Sequence, residues 1–111
     1  DIVTLHIALN NETRDFITEK DFALMKPSAI LINTARGPVV NEMALANALK
    51  NGVIAGAATD VYGTEPPLKK DNPLFDAPNL IMLPHIGFAT EEAFVLRLGI
   101  VVKNVEDWLK K

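Results

Sequence analysis

The sequence predicts an α/β protein built on a parallel sheet of about four strands, with helices flanking the sheet. Short apolar, β-branched runs alternate along the chain with segments of helical periodicity, which is typical of parallel sheets. Polar or charged residues follow several of these runs directly, where the strands of such a sheet reach one common edge. The 111 residues are enough for one domain.

The first third of the chain predicts two strands around a short helix. Residues 2–7 are β-branched and mostly apolar, which indicates a buried strand. Thr18 is a predicted N-cap for a helix over residues 19–25, with Asp21 placed as in a looser capping box. Residues 29–33 form an apolar run with a polar exit, as in strands that are buried on both faces of a sheet.

The next segment predicts a second helix and a third strand. Asn41 is a suitable N-cap for a helix over residues 42–50, and Gly52 lies near its C-terminal end. Residues 53–60 predict the third strand, whose small side chains favour the close approach of a helix.

The last third predicts a loop, a short strand and a long helix. Residues 63–79 contain four prolines and predict a long irregular loop. Residues 80–83 predict the fourth strand. Thr90 is the predicted N-cap of a helix from residue 91 to about residue 109. The apolar stripe of this helix consists of Phe94, Leu98, Val101, Val105 and Trp108 or Leu109.

Arg36, Asp60 and His85 follow strands two, three and four at the predicted carboxyl edge. A guanidinium presents a planar fork that suits a carboxylate, although Arg36 is equally compatible with an ordinary surface turn. His85 has the chemistry of a general acid and base, and a structural role is the alternative. Asp60 needs a partner if it is buried, either a ligand amide or the backbone of a turn.

Glu65 lies in the proline-rich loop, flanked by Thr64 and Pro66. A carboxylate that is hydrogen-bonded to a histidine fixes the tautomer of the ring and stabilises the imidazolium form. The alternative interpretation of Glu65 is a solvated loop acid.

Composition excludes several classes of function. The net charge of −3 and the lack of a basic patch argue against nucleic acid as a partner. Without cysteine there are no disulfides or thiolate metal sites, and the two histidines give no zinc signature, so we expect no metal. No apolar run approaches the ~18 residues of a membrane span and no signal peptide is visible, so we expect a cytoplasmic protein without a membrane partner.

Three segments at the predicted edge resemble the motifs of the NAD-dependent D-2-hydroxyacid dehydrogenases. They are Asn-Thr-Ala-Arg-Gly at residues 33–37, Asp-Val-Tyr-x-x-Glu-Pro at residues 60–66, and Pro-His-Ile-Gly at residues 84–87. Residues 3–14 and 25–33 are also similar to this family, so the resemblance covers essentially the whole chain. Within the family, residues 64–74 most resemble the glycerate dehydrogenase, or hydroxypyruvate reductase, branch.

The resemblance implies a role for each matching residue. The catalytic residues would be Arg36, which binds the carboxylate and carbonyl of a small 2-oxo acid, His85, the general acid–base, and Glu65, which pairs with His85. The residues that bind NAD would be Thr34, Ala35, Arg36, Asp60, His85 and Gly87. Residues 7–10 would lie against the adenosine side of the cofactor.

The chain also departs from the family pattern. Ala8 and Asn10 stand where the family often has proline and threonine, which is expected to alter how this loop contacts the cofactor. Phe88 stands where a small residue is common, so we expect a narrower or more apolar pocket.

By this resemblance, residues 1–111 are the second, C-terminal half of a Rossmann-type, doubly wound NAD-binding domain. The glycine-rich turn of the first half and the separate substrate domain are not expected in the chain. Two functions stay open. One is a fragment of an NAD-dependent oxidoreductase that interconverts a 2-oxo acid and a D-2-hydroxy acid. The other is a non-catalytic half-domain that binds NAD weakly or not at all, with a corepressor-like protein as a variant.

The expected lack of a first half also predicts self-association. The strand over residues 2–7 would then be an exposed apolar sheet edge, which promotes association. We therefore expect a homodimer, formed through this edge or through the last helix with Phe94 and Trp108. The sequence does not distinguish NAD from NADP, nor does it identify the acid.

Overall fold

A computed structural model describes residues 1–65 and 67–111, and Pro66 of the predicted loop lies outside the described residues. Four parallel strands form one sheet in the order β1-β2-β3-β4. The elements are β1 (Ile2–Leu5), α1 (Glu19–Phe22), β2 (Ile30–Asn33), α2 (Glu42–Lys50), β3 (Gly56–Thr59), β4 (Leu80–Met82) and α3 (Glu91–Leu109). Short 3₁₀ helices at Gly37–Val39 and Pro73–Asp76 interrupt the connections. The predicted α/β class and strand count are confirmed.

The helix N-termini follow the predicted capping chemistry. Asn41 accepts a hydrogen bond from the Ala44 amide at 2.9 Å, and the Thr90 hydroxyl accepts one from Ala93 at 3.2 Å. At α1 the Asp21 carboxylate accepts from both the backbone N–H (2.8 Å) and the hydroxyl (2.7 Å) of Thr18. These two hydrogen bonds lower the pKa of Asp21 below its ordinary value, the hydroxyl contributing most.

Several predicted elements are shorter in the structure. α1 ends at Phe22 rather than at residue 25, because the following turn closes through i to i−3 hydrogen bonds such as Met25 N to Phe22 O. β3 begins at Gly56 rather than at residue 53, because the Val53 amide bonds back to Ala48 O at the end of α2. β1 ends at Leu5, not at residue 7, and β4 ends at Met82.

The two faces of the sheet differ in their cover. α1 and α2 pack on the face that carries Leu5, Leu31 and Ala57, all of which are buried in the core. On the opposite face none of the described side chains is buried, so the prediction that β1 is buried and that β2 is buried on both sides is wrong for the described residues. We call this opposite side the open face. It is formed by Ile2, Ile30, Ile32, Ala58 and Ile81.

Helix α3 has the predicted bounds, but none of its described residues is buried. Its apolar stripe is therefore largely exposed to solvent, with Phe94 55% and Trp108 71% exposed. The molecule is correspondingly elongated, with extents of 59 × 27 × 27 Å. Among the helices that the described residues form, none combines the length and the apolar character that crossing a membrane requires.

Candidate active site

The three predicted side chains at the carboxyl edge of the sheet line one cleft. Arg36 follows β2, Asp60 follows β3 and His85 follows β4, and neighbouring parallel strands deliver them to the same edge. The cleft has a volume of about 480 Å³ and is lined by Thr34, Arg36, Asp60, His85, Gly87, Phe88 and Arg97. Glu65 reaches this cleft through its contact with His85.

His85 and Glu65 form the predicted pair. The His85 Nδ1 and Glu65 Oε2 atoms are 2.5 Å apart, and the other carboxylate oxygen accepts a hydrogen bond from the Tyr62 amide at 2.5 Å. His85 adopts a left-handed backbone conformation with φ of 57°. This conformation is uncommon for residues other than glycine and is often found at functional sites. Because Glu65 occupies Nδ1, the imidazole Nε2 is the ring nitrogen that is left for a ligand.

Asp60 is buried, with 4% of its surface exposed, and its carboxylate organises the loop that carries His85. One oxygen accepts from the Ile86 amide at 2.8 Å and the other from the Gly87 amide at 2.6 Å. A Cβ atom at Gly87 would lie 2.9 Å from Asp60 Oδ2, so this close approach requires glycine. The sequence left two possible partners for the Asp60 carboxylate, a ligand amide or the backbone of a turn, and in the structure the carboxylate binds the backbone of a turn.

Arg36 extends from a turn that Asn33 holds in place. The Asn33 amide group donates to Arg36 O at 3.1 Å, and its side-chain oxygen accepts from the Ala35 amide at 3.1 Å. The guanidinium donates to Ala35 O at 2.6 Å, and no described carboxylate forms a salt bridge with it. Arg36 is therefore an exposed cation whose remaining donors are available to an anionic ligand.

A second groove continues from this cleft along the edge of the sheet. It has a volume of about 620 Å³ and is lined by His6, Ile7, Ala8, Leu9, Thr34, Ala35 and Arg36. Thr34 and Arg36 line both spaces, so the predicted residues of the 7–10 loop and of the catalytic cleft share one continuous edge. An elongated ligand with a reactive end matches this shape. Within the described residues, no cluster of histidine and acidic side chains is suited to a metal ion.

Two supporting residues of the site were not predicted. The Tyr62 hydroxyl donates to Leu83 O at 2.7 Å and so ties the segment after β3 to the segment before His85. Burial, followed by the negative charge of Asp60, raises the pKa of Tyr62 above its ordinary value. Glu42 accepts from the Gly63 amide at 2.6 Å and from the Asn72 side chain at 3.0 Å, which anchors the loop on either side of Glu65.

Phe88 and Arg97 complete the wall of the cleft. The Arg97 guanidinium carbon lies 4.9 Å from the centroid of the Phe88 ring, and this ring contacts His85 edge-on at a centroid distance of 6.4 Å. Phe88 was expected to shape the pocket, whereas nothing in the sequence pattern singles out Arg97, which lies in the second turn of a helix far along the chain.

Comparison with known proteins agrees with the motifs at this edge. Residues 1–87 match the sequence model of the D-isomer specific 2-hydroxyacid dehydrogenase, NAD binding domain. The chain is 47% identical to a putative 2-hydroxyacid dehydrogenase of Haemophilus influenzae, covering 100% of this chain and 36% of the relative. It is 49% identical to the glycerate dehydrogenase of Methylorubrum extorquens, covering 96% and 34% respectively.

Solved structures show the same similarity at the level of the fold. The NAD-complexed D-isomer specific 2-hydroxyacid dehydrogenase of Lactobacillus delbrueckii ssp. bulgaricus superposes with a TM-score of 0.86 at 35% identity. The superposition covers 99% of this chain and 37% of that structure. The chain thus spans about a third of the length of the curated relatives that it matches.

Proposed function

The chain belongs to the D-isomer specific 2-hydroxyacid dehydrogenase family, and we propose that it carries the catalytic edge of an NAD-dependent oxidoreductase that interconverts a 2-oxo acid and a D-2-hydroxy acid. In this proposal, residues 1–111 are the C-terminal half of a Rossmann-type NAD-binding domain. The observation that supports it most is the His85–Glu65 pair in one cleft with the unpaired Arg36 cation. The similarity of residues 64–74 to the glycerate dehydrogenase branch makes hydroxypyruvate and glycerate the proposed substrate pair.

The groove and cleft fit a dinucleotide in shape and chemistry. Thr34 and Arg36 line both spaces, and Ala35 lies beside them in the groove. His85 and Gly87 lie at the end where the nicotinamide would sit. When bound, the cofactor would supply the hydride as NADH or accept it as NAD⁺. Asp60 acts in this scheme chiefly by fixing the Ile86 and Gly87 amides, since both of its oxygens already accept hydrogen bonds from them.

The chain's own residues provide the proton and the anion-binding groups. Arg36 binds the substrate carboxylate through its planar fork and polarises the adjacent carbonyl. In the reductive direction, protonated His85 donates from Nε2 to the carbonyl oxygen as it becomes a hydroxyl, and in the oxidative direction it takes that proton back. Glu65 keeps the ring oriented through its contact with Nδ1.

Calorimetric titration with NADH and the unreactive oxo-acid mimic oxalate tests the proposal. We expect oxalate to bind only in the presence of NADH and to lose at least about tenfold in affinity in Arg36→Ala, because a charge-assisted bidentate contact is removed. Lys103→Ala is the control, since Lys103 is an exposed cation of α3 whose salt bridge, within the described residues, is to the neighbouring Asp107. No heat with NADH at millimolar concentration would contradict the proposal.

A second candidate function is the non-catalytic half-domain that self-associates. It is favoured by the exposed apolar surface of β1 and α3, where Ile2 is 66% and Trp108 71% exposed. The proposed partner is a second copy of the chain, bound through the β1 edge or through α3. Sedimentation at high micromolar concentration would detect this dimer. Loss of the dimer in Ile2→Lys would assign the interface to β1, and loss in Trp108→Glu would assign it to α3. A monomer at that concentration would overturn the idea.

A further inference from the structure

The candidate cleft contains a second cation that the proposed reaction does not use. Arg97 lines the cleft together with Arg36, but it comes from α3 rather than from the edge of the sheet. No salt bridge or hydrogen bond to the Arg97 side chain is found within residues 1–65 and 67–111. One turn away in either direction along α3, its neighbours are apolar: Ala93, Phe94, Ile100 and Val101.

Phe88 contacts the Arg97 guanidinium through its aromatic ring, which does not occupy the guanidinium's hydrogen-bond donors. A cation that lies over an aromatic face is attracted by the ring, while the N–H groups in the guanidinium plane stay free. The same Phe88 ring makes edge-on contacts with both His85 and Phe94, at centroid distances of 6.4 and 6.1 Å. Arg97 is thereby connected through one side chain to the proposed acid–base.

The charges of the cleft favour a ligand with two acceptor ends. The two acids of the site already have partners, because Asp60 accepts from Ile86 and Gly87 and Glu65 accepts from Tyr62 and His85. Arg36 and Arg97 are the lining cations that have no carboxylate partner among the described residues. Two guanidinium groups that line one cleft attract a molecule with an oxyanion at each end.

We infer that Arg97 binds the far end of the substrate and selects 2-oxo acids that carry a second oxygen acceptor, an anionic carboxylate most strongly. The inference rests on the proposed function, in which Arg36 binds the carboxylate beside the carbonyl. A hydroxyl at the far end, as in hydroxypyruvate, accepts one hydrogen bond from Arg97, and a second carboxylate accepts a charge-assisted pair. A 2-oxo acid with an aliphatic far end has no hydrogen-bond acceptor there for Arg97.

Two unreactive mimics separate the contributions of the two arginines. Oxamate has one carboxylate beside its carbonyl, and N-oxalylglycine adds a second carboxylate at the far end. In NMR titrations of the NADH-loaded chain, we expect both mimics to shift the Gly87 amide and only N-oxalylglycine to shift the Arg97 side-chain N–H. We expect Arg97→Ala to weaken N-oxalylglycine binding about tenfold and to leave oxamate unchanged, because only one charge-assisted contact is lost.

Variants distinguish a binding role from a structural one. Arg97→Lys keeps the charge but not the fork, so it should retain part of the preference for N-oxalylglycine. Lys103→Ala removes another cation of α3 and should change neither mimic. Equal affinity of the two mimics for the unmodified chain, or a preference for N-oxalylglycine that survives Arg97→Ala, would overturn the inference. Oxamate binding in the same experiment would still support the proposed function.

Two other outcomes are also decisive. If Arg97→Ala weakens NADH instead, with the ratio of the two mimics unchanged, the cation serves the cofactor and the inference is wrong. If neither mimic binds at any NADH concentration, the proposed function fails and the assignment of Arg97 fails with it.

Discussion

The two faces of the sheet have opposite environments although one set of strands builds both. Leu31 on the helix-covered face is 1% exposed, whereas its neighbour Ile30 on the open face is 41% exposed. Successive side chains of a strand point to opposite faces, so one residue step separates the core from the exterior. An apolar run therefore identifies a strand of a parallel sheet, but it does not tell which of the strand's faces is covered.

The carboxyl edge of the sheet resembles the covered face rather than the open one. Within the described residues, every buried side-chain nitrogen and oxygen has a hydrogen-bond partner. The loops that carry Glu65 and His85 are tied to the body by Glu42, Asp60 and Tyr62. The order of the candidate site is therefore built on the covered side. The open face contributes none of the residues that line the cleft, and α3 contributes Arg97.

The largest expected difference between the faces comes from truncating neighbouring residues of β2. Leu31→Ala should lower the free energy of unfolding by about 3 kcal/mol, because it leaves a cavity in the core. Ile30→Ala should cost less than about 1 kcal/mol, since the side chain is already partly in water. Urea denaturation of both variants measures the two values. Equal losses would contradict the contrast, and a loss at Ile30 that grows with protein concentration would indicate that a second copy covers the open face.

Two glycines provide the next comparison. A Cβ atom on Gly37 would lie only 1.9 Å from the backbone carbonyl carbon of Tyr62, so Gly37→Ala must displace that segment and should destabilise the chain by about 2 kcal/mol or more. Gly99 in α3 has nothing within 4 Å of the same position, and Gly99→Ala should stabilise the helix by about 0.5–1 kcal/mol. Thermal unfolding of both variants checks the opposite signs. A neutral Gly37→Ala would show that the loop before Glu65 adapts freely.

The sequence predicts the features that depend on local chemistry. The caps at Asn41 and Thr90, the bounds of α2 and α3 and the meeting of Arg36, Asp60 and His85 at one edge all follow from residue type and order. The carboxylates of Asp60 and Glu42 instead bond to backbone amides more than 20 residues away, and no local pattern records such contacts.

The same limit applies to α3 and the open face. Periodicity shows that α3 has an apolar stripe, but burial of that stripe depends on a surface that the described chain does not place against it. Arg97 was not predicted for a related reason. Its approach to Phe88 depends on the direction of α3 relative to the loop that follows His85.

A smaller effect is expected from the hydroxyl that ties the edge of the sheet together. Tyr62→Phe removes the hydrogen bond to Leu83 O and should cost about 1 kcal/mol at neutral pH. Burial and Asp60 raise the folded-state pKa of Tyr62 above 10.0, so the unfolded chain loses this proton first. The stability that Tyr62 contributes is therefore complete below pH 10 and is lost as the pH rises through the folded-state value. Denaturation between pH 7 and 11 should show the wild-type advantage shrinking, and a constant advantage would contradict the burial of the hydroxyl.

The smallest expected effect lies in the capping box of α1, which holds the covering helix in place. Hydrogen bonds from Thr18 lower the folded-state pKa of Asp21 below 3.8, so the charged carboxylate stabilises the fold above that pH and loses its contribution as the pH falls through the folded-state value. Asp21→Asn should thus be less stable than the wild type at pH 7, with the difference vanishing in acid.

Glu19→Gln, which removes the other acid of the same turn, is the control because it shares the helix-dipole interaction and lacks the Thr18 contacts. The difference between the two variants therefore measures what the Thr18 hydrogen bonds to the Asp21 carboxylate contribute. If Asp21→Asn and Glu19→Gln follow the same pH curve, the cap does not help to hold α1 on the covered face, and apolar packing around Phe22 alone accounts for its position.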